Sequence, residues 1–357
     1  DIEGHELFVT ASMGISMFPQ DGEDPETLLK KADIEMYRAK RGGRNNFVFY
    51  EPAMDDDANL RLLRANDIRR ALERNEFRVY YQPKHHPGTC GITSMEALLR
   101  WNHPELGLLM PNEFVPLAEE TGLILPLGEW VLQNVAEQHS AWRREGLPDI
   151  RIGVNLSGYQ LQQPSFASKV KSILADAGMN PESLEFEITE TVVMQSPDLA
   201  ASVLKEFTGM GIQIAIDDFG TGYSSLAYIK RFSVSSLKID KSFIKDLERN
   251  PTDAAIATAI IAMAASLNLQ VVAEGVETVA QLDFLRDRFC DEVQGFLFSE
   301  AVSADEISRY LKAYPTTDDH SLRFQSRPVT YPTALGHERA VRHGSRRVAE
   351  MPSVSLQ

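Results

Sequence analysis

Between residues 77 and 300 the chain carries eight short runs rich in apolar and β-branched residues. They are FRVYYQPK (77–84), SMEALLRW (94–101), GVNLS (153–157), LEFEITE (184–190), QIAIDDFGTG (213–222), SLKID (236–240), VVAEGVE (271–277) and VQGFLFS (293–299). Their length and composition predict strands. Stretches with apolar residues at helical spacing lie between them, over 113–120, 127–144, 166–177, 197–210, 251–268 and 279–288. A last helix is predicted over 304–313. Eight strands alternating with helices predict a barrel of the TIM (β/α)8 type rather than an open sheet.

The first fifty residues form a smaller pattern. A strand is predicted within Leu7–Phe18, and Asp24-Pro25 opens a helix, since proline suits the first helical position. Leu28, Leu29, Ala32, Met36 and Ala39 fall on one helical face, and Gly42-Gly43 ends it. Phe47–Tyr50 reads as a closing strand. This is too little for a domain and reads as the end of one, so the organisation expected is a remnant over 1–52, a charged linker helix over 53–74 and a barrel over 75–314. Residues 315–357 lack apolar periodicity and mix arginines with Pro, Ser and Thr, the composition of a disordered tail.

Charge and cysteine content narrow the function. The formal net charge of -15 disfavours duplex DNA or an anionic membrane, but not a small anion held through metal ions. Cys90 and Cys290 are too few and too distant for a disulfide framework or a zinc motif, which fits a reducing cytoplasm. The most apolar helical run, 254–267, is too short to span a bilayer. The chain begins at Asp1 without a signal peptide, so a longer protein is expected, with an upstream sensor or membrane anchor conceivable.

The candidate chemistry sits at the strand ends. Glu96, Asn155, Glu187, Asp217, Asp218, Glu274, Glu277 and Gln294 are hard oxygen donors, with no Cys or His among them. Such a set suits Mg²⁺ or Mn²⁺ rather than zinc. Carboxylates around two cations about 3.5–4 Å apart form the usual clamp for phosphoester hydrolysis. Any one of these acids alone reads equally as a salt-bridged structural residue; their number at matching strand ends is what favours a site. Lys238 falls in the same register and requires a carboxylate partner. Arg100, four residues after Glu96, shares its strand face and can grip a phosphate. The glycine-rich stretch after Asp217-Asp218 suits a loop that positions ligands, and Glu190 either holds that loop or is a plain surface glutamate. His85 and His86 stand beside Pro and Gly and read as a surface loop, and His103 as structural.

Glu96-Ala97-Leu98, followed by Leu99-Arg100-Trp101, resembles the signature of EAL-domain cyclic-di-GMP phosphodiesterases. YQP, NLS, EITE, DDFGTGYSS, LKID, VVAEGVE and VQGFLFS follow in that family's order. VTASMGIS and ADIEMYRAKRGGRN resemble the C-terminal part of a GGDEF domain whose cyclase loop is absent, so no cyclase activity is expected from this chain. The resemblance implies a modified TIM barrel with an antiparallel first strand, and hydrolysis of cyclic-di-GMP to linear pGpG with two Mg²⁺ or Mn²⁺ ions. It implies that Glu96, Asn155, Glu187, Asp217 and Asp218 bind metal. Lys238, Glu274 and Asp218 would activate water, Glu190 would anchor the Asp217 loop, and Gln82, Arg100, Glu277 and Gln294 would serve the substrate and water shell. It further implies a homodimer through the barrel and an upstream sensor or GGDEF domain. Ser299-Glu300-Ala301 departs from the common Ser-Arg-Pro, but removes no ligand. A non-catalytic cyclic-di-GMP receptor signalling through the linker helix, and a degenerate scaffold, are the competing classes. Both usually lose metal or water-activating residues, and this chain keeps them all.

Overall fold

The computed structural model describes residues 11–41, 46–50, 67–222 and 226–313. The chain divides into two units, residues 1–74 and 75–357. The expected linker over 53–74 is described only from residue 67, helical over 67–73, and the expected tail over 315–357 lies outside the described residues.

In the first unit β1 (Met13–Ile15) pairs in parallel with β2 (Phe47–Phe49). The helix Pro25–Arg41 connects them. Asp24 caps it by accepting the Thr27 amide at 2.8 Å, which satisfies one of the donors that a helix start leaves open.

The second unit is a closed barrel. Its strands are β3 (Phe77–His85), β4 (Ile92–His103), β6 (Arg151–Asn155), β7 (Leu184–Thr189), β8 (Gln213–Phe219), β9 (Ser236–Ile239), β10 (Gln270–Ala273) and β11 (Glu292–Val293). A short β5 (Gly107–Leu109) hairpins onto the end of β4. β3 runs antiparallel to both neighbours, β4 and β11, and closes the ring; the other neighbours are parallel. Helices connect the parallel strands, as such crossovers require.

The strand period of two divides the barrel into an apolar outside and an ionic inside. On β7, Leu184, Phe186 and Ile188 belong to the apolar core, and Phe186 meets Phe207 edge-on at 4.8 Å under the helix Pro197–Gly209. Glu185 and Glu187, between them, are buried and face lysines. The same alternation sets Ile152 and Val154 apart from Arg151 and Asn155, and Leu237 and Ile239 apart from Lys238. The apolar core therefore lies between strands and helices, and the barrel axis carries charge.

Three local readings are corrected. The run 293–299 is strand only at Glu292–Val293; beyond Gln294 it turns, with Phe298 and Ser299 donating to Gly295 O. The hairpin 103–107 was missed because its turn lacks an Asn-Gly or Asp-Gly signal. His85 is not on a surface loop. It ends β3 on the outward face, 1% exposed and stacked on Phe298 at 4.2 Å, because strand alternation continues through it.

Candidate active site

The upper end of the barrel gathers side chains from all eight strands and the turns that follow them. Glu96 of β4 is buried and doubly held: Asn155 Nδ2 donates to its Oε1 at 2.7 Å and Gln294 Nε2 to its Oε2 at 2.7 Å. Gln294 also donates to Gln82 Oε1 at 3.0 Å, and Gln82 in turn donates to Ser299 O at 3.0 Å. Gln294 Oε1 remains buried without a hydrogen-bond partner, an unused acceptor on the residue that holds Glu96.

Lys238 stands at the centre, fully buried. Its Nζ lies 2.5 Å from Glu187 Oε2, 2.6 Å from Glu274 Oε1, 3.2 Å from Asp217 Oδ1 and 3.7 Å from Glu96 Oε2. One ammonium thus faces four carboxylates, and the charge balance shows in their protonation. Burial would raise the Glu187 carboxyl, but Lys238 and Lys84 outweigh it and hold it down at about 2. Burial pushes Glu274 up to about 8, with Asp217 and Glu96 adding to the effect and Lys238 opposing it. Glu96 is likewise raised by burial and by Glu187. A cluster in which some acids resist ionisation is short of positive charge.

Two successive aspartates reach the same side because β8 carries a register irregularity between Ile216 and Phe219. Asp218 takes a left-handed backbone (φ 53°), and its amide donates to Asp217 Oδ1 at 2.9 Å. A bulge of this kind re-aims a side chain at the rim of a barrel. Carboxylate oxygens of Asp217, Asp218 and Glu274 lie within 4.8 Å of one another. All-oxygen donors, a shortage of positive charge and an unpartnered amide oxygen fit a hard divalent cation.

The loop after β8 is tied from below. Glu190 is buried, and its Oε2 accepts the Gly220 amide at 3.1 Å. A Cβ at Gly222 would come within 2.8 Å of Glu190 Oε1, so only glycine lets the loop pass this close. Residues 223–225 lie outside the described residues. Two sequence candidates stand apart from the cluster. The Arg100 guanidinium lies over the Tyr80 ring at 5.7 Å and donates to Leu99 O. Glu277 is exposed, and among the described residues its carboxylate forms no hydrogen bond or ion pair; only its amide is held, by Gln281 Oε1 at 2.7 Å.

Beneath this layer lies a second ionic one that sequence reasoning missed. Lys84 Nζ contacts Glu185 Oε1 at 3.0 Å and Glu187 Oε1 at 2.6 Å. Arg151 bridges Glu185 (3.6 Å) and Glu292 (3.3 Å), and Ser94 donates to Glu292 at 2.9 Å. The signal was present: Gln82 and Lys84, like Glu185 and Glu187, are two apart in one strand and must share a face.

Residues 65–301 match the EAL domain family, and residues 1–46 match the diguanylate cyclase GGDEF domain family. Among curated relatives, a bifunctional diguanylate cyclase/cyclic di-GMP phosphodiesterase, MucR of Pseudomonas aeruginosa, is 43% identical over 306 residues, covering 86% of this chain and 45% of that protein. The cyclic di-GMP phosphodiesterase PdeR of Escherichia coli is 38% identical over 309 residues, covering 87% and 46%. The chain spans under half the length of these relatives. A solved PaMucR phosphodiesterase in complex with c-di-GMP superposes with a TM-score of 0.67 at 44% identity, covering 69% of this chain and 99% of that one. Among the described residues no helix is long and apolar enough to cross a membrane.

Proposed function

The chain belongs to the EAL domain family, and from that premise we propose that its barrel hydrolyses one phosphodiester bond of cyclic-di-GMP to give linear pGpG. The observation that carries the reading is the set of four carboxylates around the single ammonium of Lys238, at the strand ends where barrels of this architecture do their chemistry. Glu96, Asn155, Glu187, Asp217 and Asp218 are the residues that would hold divalent cations, two in number and Mg²⁺ or Mn²⁺ by donor type. Such ions neutralise phosphate charge and make water more acidic.

The remaining roles fall to the chain itself. Lys238, as an ammonium, orients the attacking water, and the Glu274 carboxylate, in contact with it at 2.6 Å, takes up the proton of that water. Water adds to phosphorus, the bond to one ribose 3′ oxygen breaks, and that oxygen keeps the electron pair and takes a proton from solvent. Gln294 and Asn155 fix the Glu96 carboxylate through both of its oxygens. Glu190 holds the loop carrying Asp217 and Asp218. Arg100 at the rim is free to swing from Tyr80 to a substrate phosphate, and Glu277 beyond β10 faces solvent where the ligand would enter.

Chromatography of cyclic-di-GMP incubated with the purified chain and Mg²⁺ or Mn²⁺ tests the reading. Linear pGpG formed only with the metal supports it. Saturable binding with intact ligand would make the chain a receptor instead.

A further inference from the structure

Lys84 is completely buried, and of the residues at the mouth of the barrel it touches Glu187 alone. Its two partners are Glu185 at 3.0 Å and Glu187 at 2.6 Å. Glu187 is thus gripped through both oxygens by different lysines: Oε1 from below by Lys84, Oε2 from above by Lys238. The two grips differ in kind. Lys238 also contacts Glu96, Asp217 and Glu274, so it lies among the groups that would receive a cation. Apart from Glu187, Lys84 contacts only the lower layer, where Glu185 is shared with Arg151 and with the Ser236 hydroxyl at 3.3 Å. A second constraint acts on the same carboxylate. A Cβ at Gly153, on the neighbouring strand β6, would fall 2.2 Å from Glu187 Oε1. The carboxylate therefore occupies a slot with a glycine for one wall and Lys84 for its floor.

We infer that Lys84 is a positioning residue, which fixes Glu187 by its lower oxygen so that the upper oxygen faces the mouth and stays presented when Lys238 yields it to a cation. The inference rests on the assignment of Glu187 as a metal ligand. Without Lys84, Glu187 would keep only the upper grip, and cation binding would have to displace its last partner. Groups that orient metal ligands from behind typically change metal affinity about 10–100-fold when removed.

Mn²⁺ titration by calorimetry on the native chain, Lys84→Met, Glu185→Gln and the double variant K84M/E185Q tests this, with circular dichroism to verify folding. Lys84→Met leaves two buried acids short of a partner; should it fail to fold, the double variant, with one acid neutralised, gives the reading. The expected result is a Mn²⁺ affinity lowered about 10–100-fold in both variants that lack Lys84, and changed less than about threefold in Glu185→Gln. At saturating Mn²⁺ the KM for cyclic-di-GMP stays within about twofold while kcat falls. Native Mn²⁺ affinity in the variants lacking Lys84, or an equal loss in Glu185→Gln, would overturn the role and leave Lys84 as a structural counter-ion. The titration needs no turnover. A native chain that binds Mn²⁺ but leaves cyclic-di-GMP intact defeats the proposed reaction, while the same titration still decides Lys84; a native chain that takes up no Mn²⁺ overturns both.

Discussion

Glu190, one residue beyond β7, accepts the backbone amide of Gly220 at 3.1 Å, so a buried carboxylate at one strand end fixes the loop leaving the next. Asp217 and Asp218 precede that loop directly, and their aim depends on where it starts. Replacing Glu190 by alanine removes a charged acceptor worth about 1.5–3 kcal/mol. If that tether acts in the reacting state, kcat falls about 10–100-fold. Glu190→Gln keeps an oxygen acceptor and loses less. Steady-state kinetics of the two variants check the ordering.

Lys238→Met removes the cation that four carboxylates share. Breaking a buried ion network by deleting one partner costs about 3–5 kcal/mol. Thermal unfolding in chelator should show the variant well below the native chain. Added Mn²⁺ should raise its Tm by more than it raises the native Tm, because the unpaired acids gain a counter-ion. Turnover should drop more than about a hundredfold, since the group that orients the attacking water beside Glu274 is gone.

Gly153→Ala probes the slot around Glu187 from the opposite wall. The new methyl would meet Glu187 Oε1 and push the carboxylate aside. Overpacking of a buried strand costs about 1–3 kcal/mol. Urea unfolding should register that loss, and Mn²⁺ titration should show weakened binding in a chain that is still folded.

His85 makes acid sensitivity testable away from the reacting groups. Burial holds its imidazole down at about 4, below the usual value of about 6.5. The native state therefore binds fewer protons than the unfolded chain between those values. The contribution of His85 is intact above about pH 6.5 and is lost progressively as pH falls to about 4, by roughly 3 kcal/mol in all. His85→Phe preserves the stack on Phe298 and should abolish that slope, at the cost of the 3.0 Å contact with the Cys90 carbonyl. Glu187, held at about 2, loses its contribution only below about pH 4.3, so the two windows separate. Urea titrations at a series of pH values resolve them.

The barrel was legible in the sequence because each parallel strand is an apolar run with its polar residues at the inward positions. The metal-side acids were legible for the same reason: a carboxylate in SMEALLRW or LEFEITE context has no apolar partner to explain it. The seating of Asp218 was not, since it depends on a left-handed residue and a register shift that composition does not encode. Lys84 and Arg151 were passed over because each reads as an ordinary solvated cation until the closed ring turns its strand face inward. His85 misled for the opposite reason: its Pro-Gly neighbours mark the loop that follows, not the strand it ends. Gly107 closes its hairpin without a recognised turn pair, so β5 left only the short run GLL as a signal.

Cleavage in water labelled with heavy oxygen tests the central claim most directly. The native chain is incubated with cyclic-di-GMP and Mn²⁺, beside a chelated sample and Glu96→Ala, and the product is weighed by mass spectrometry. Attack of water on phosphorus gives pGpG carrying one heavy oxygen on its 5′ phosphate, absent from the chelated sample and nearly absent from the variant. Unlabelled pGpG, or labelled pGpG formed equally well in chelator, would contradict a metal-dependent hydrolysis centred on Glu96 and Lys238.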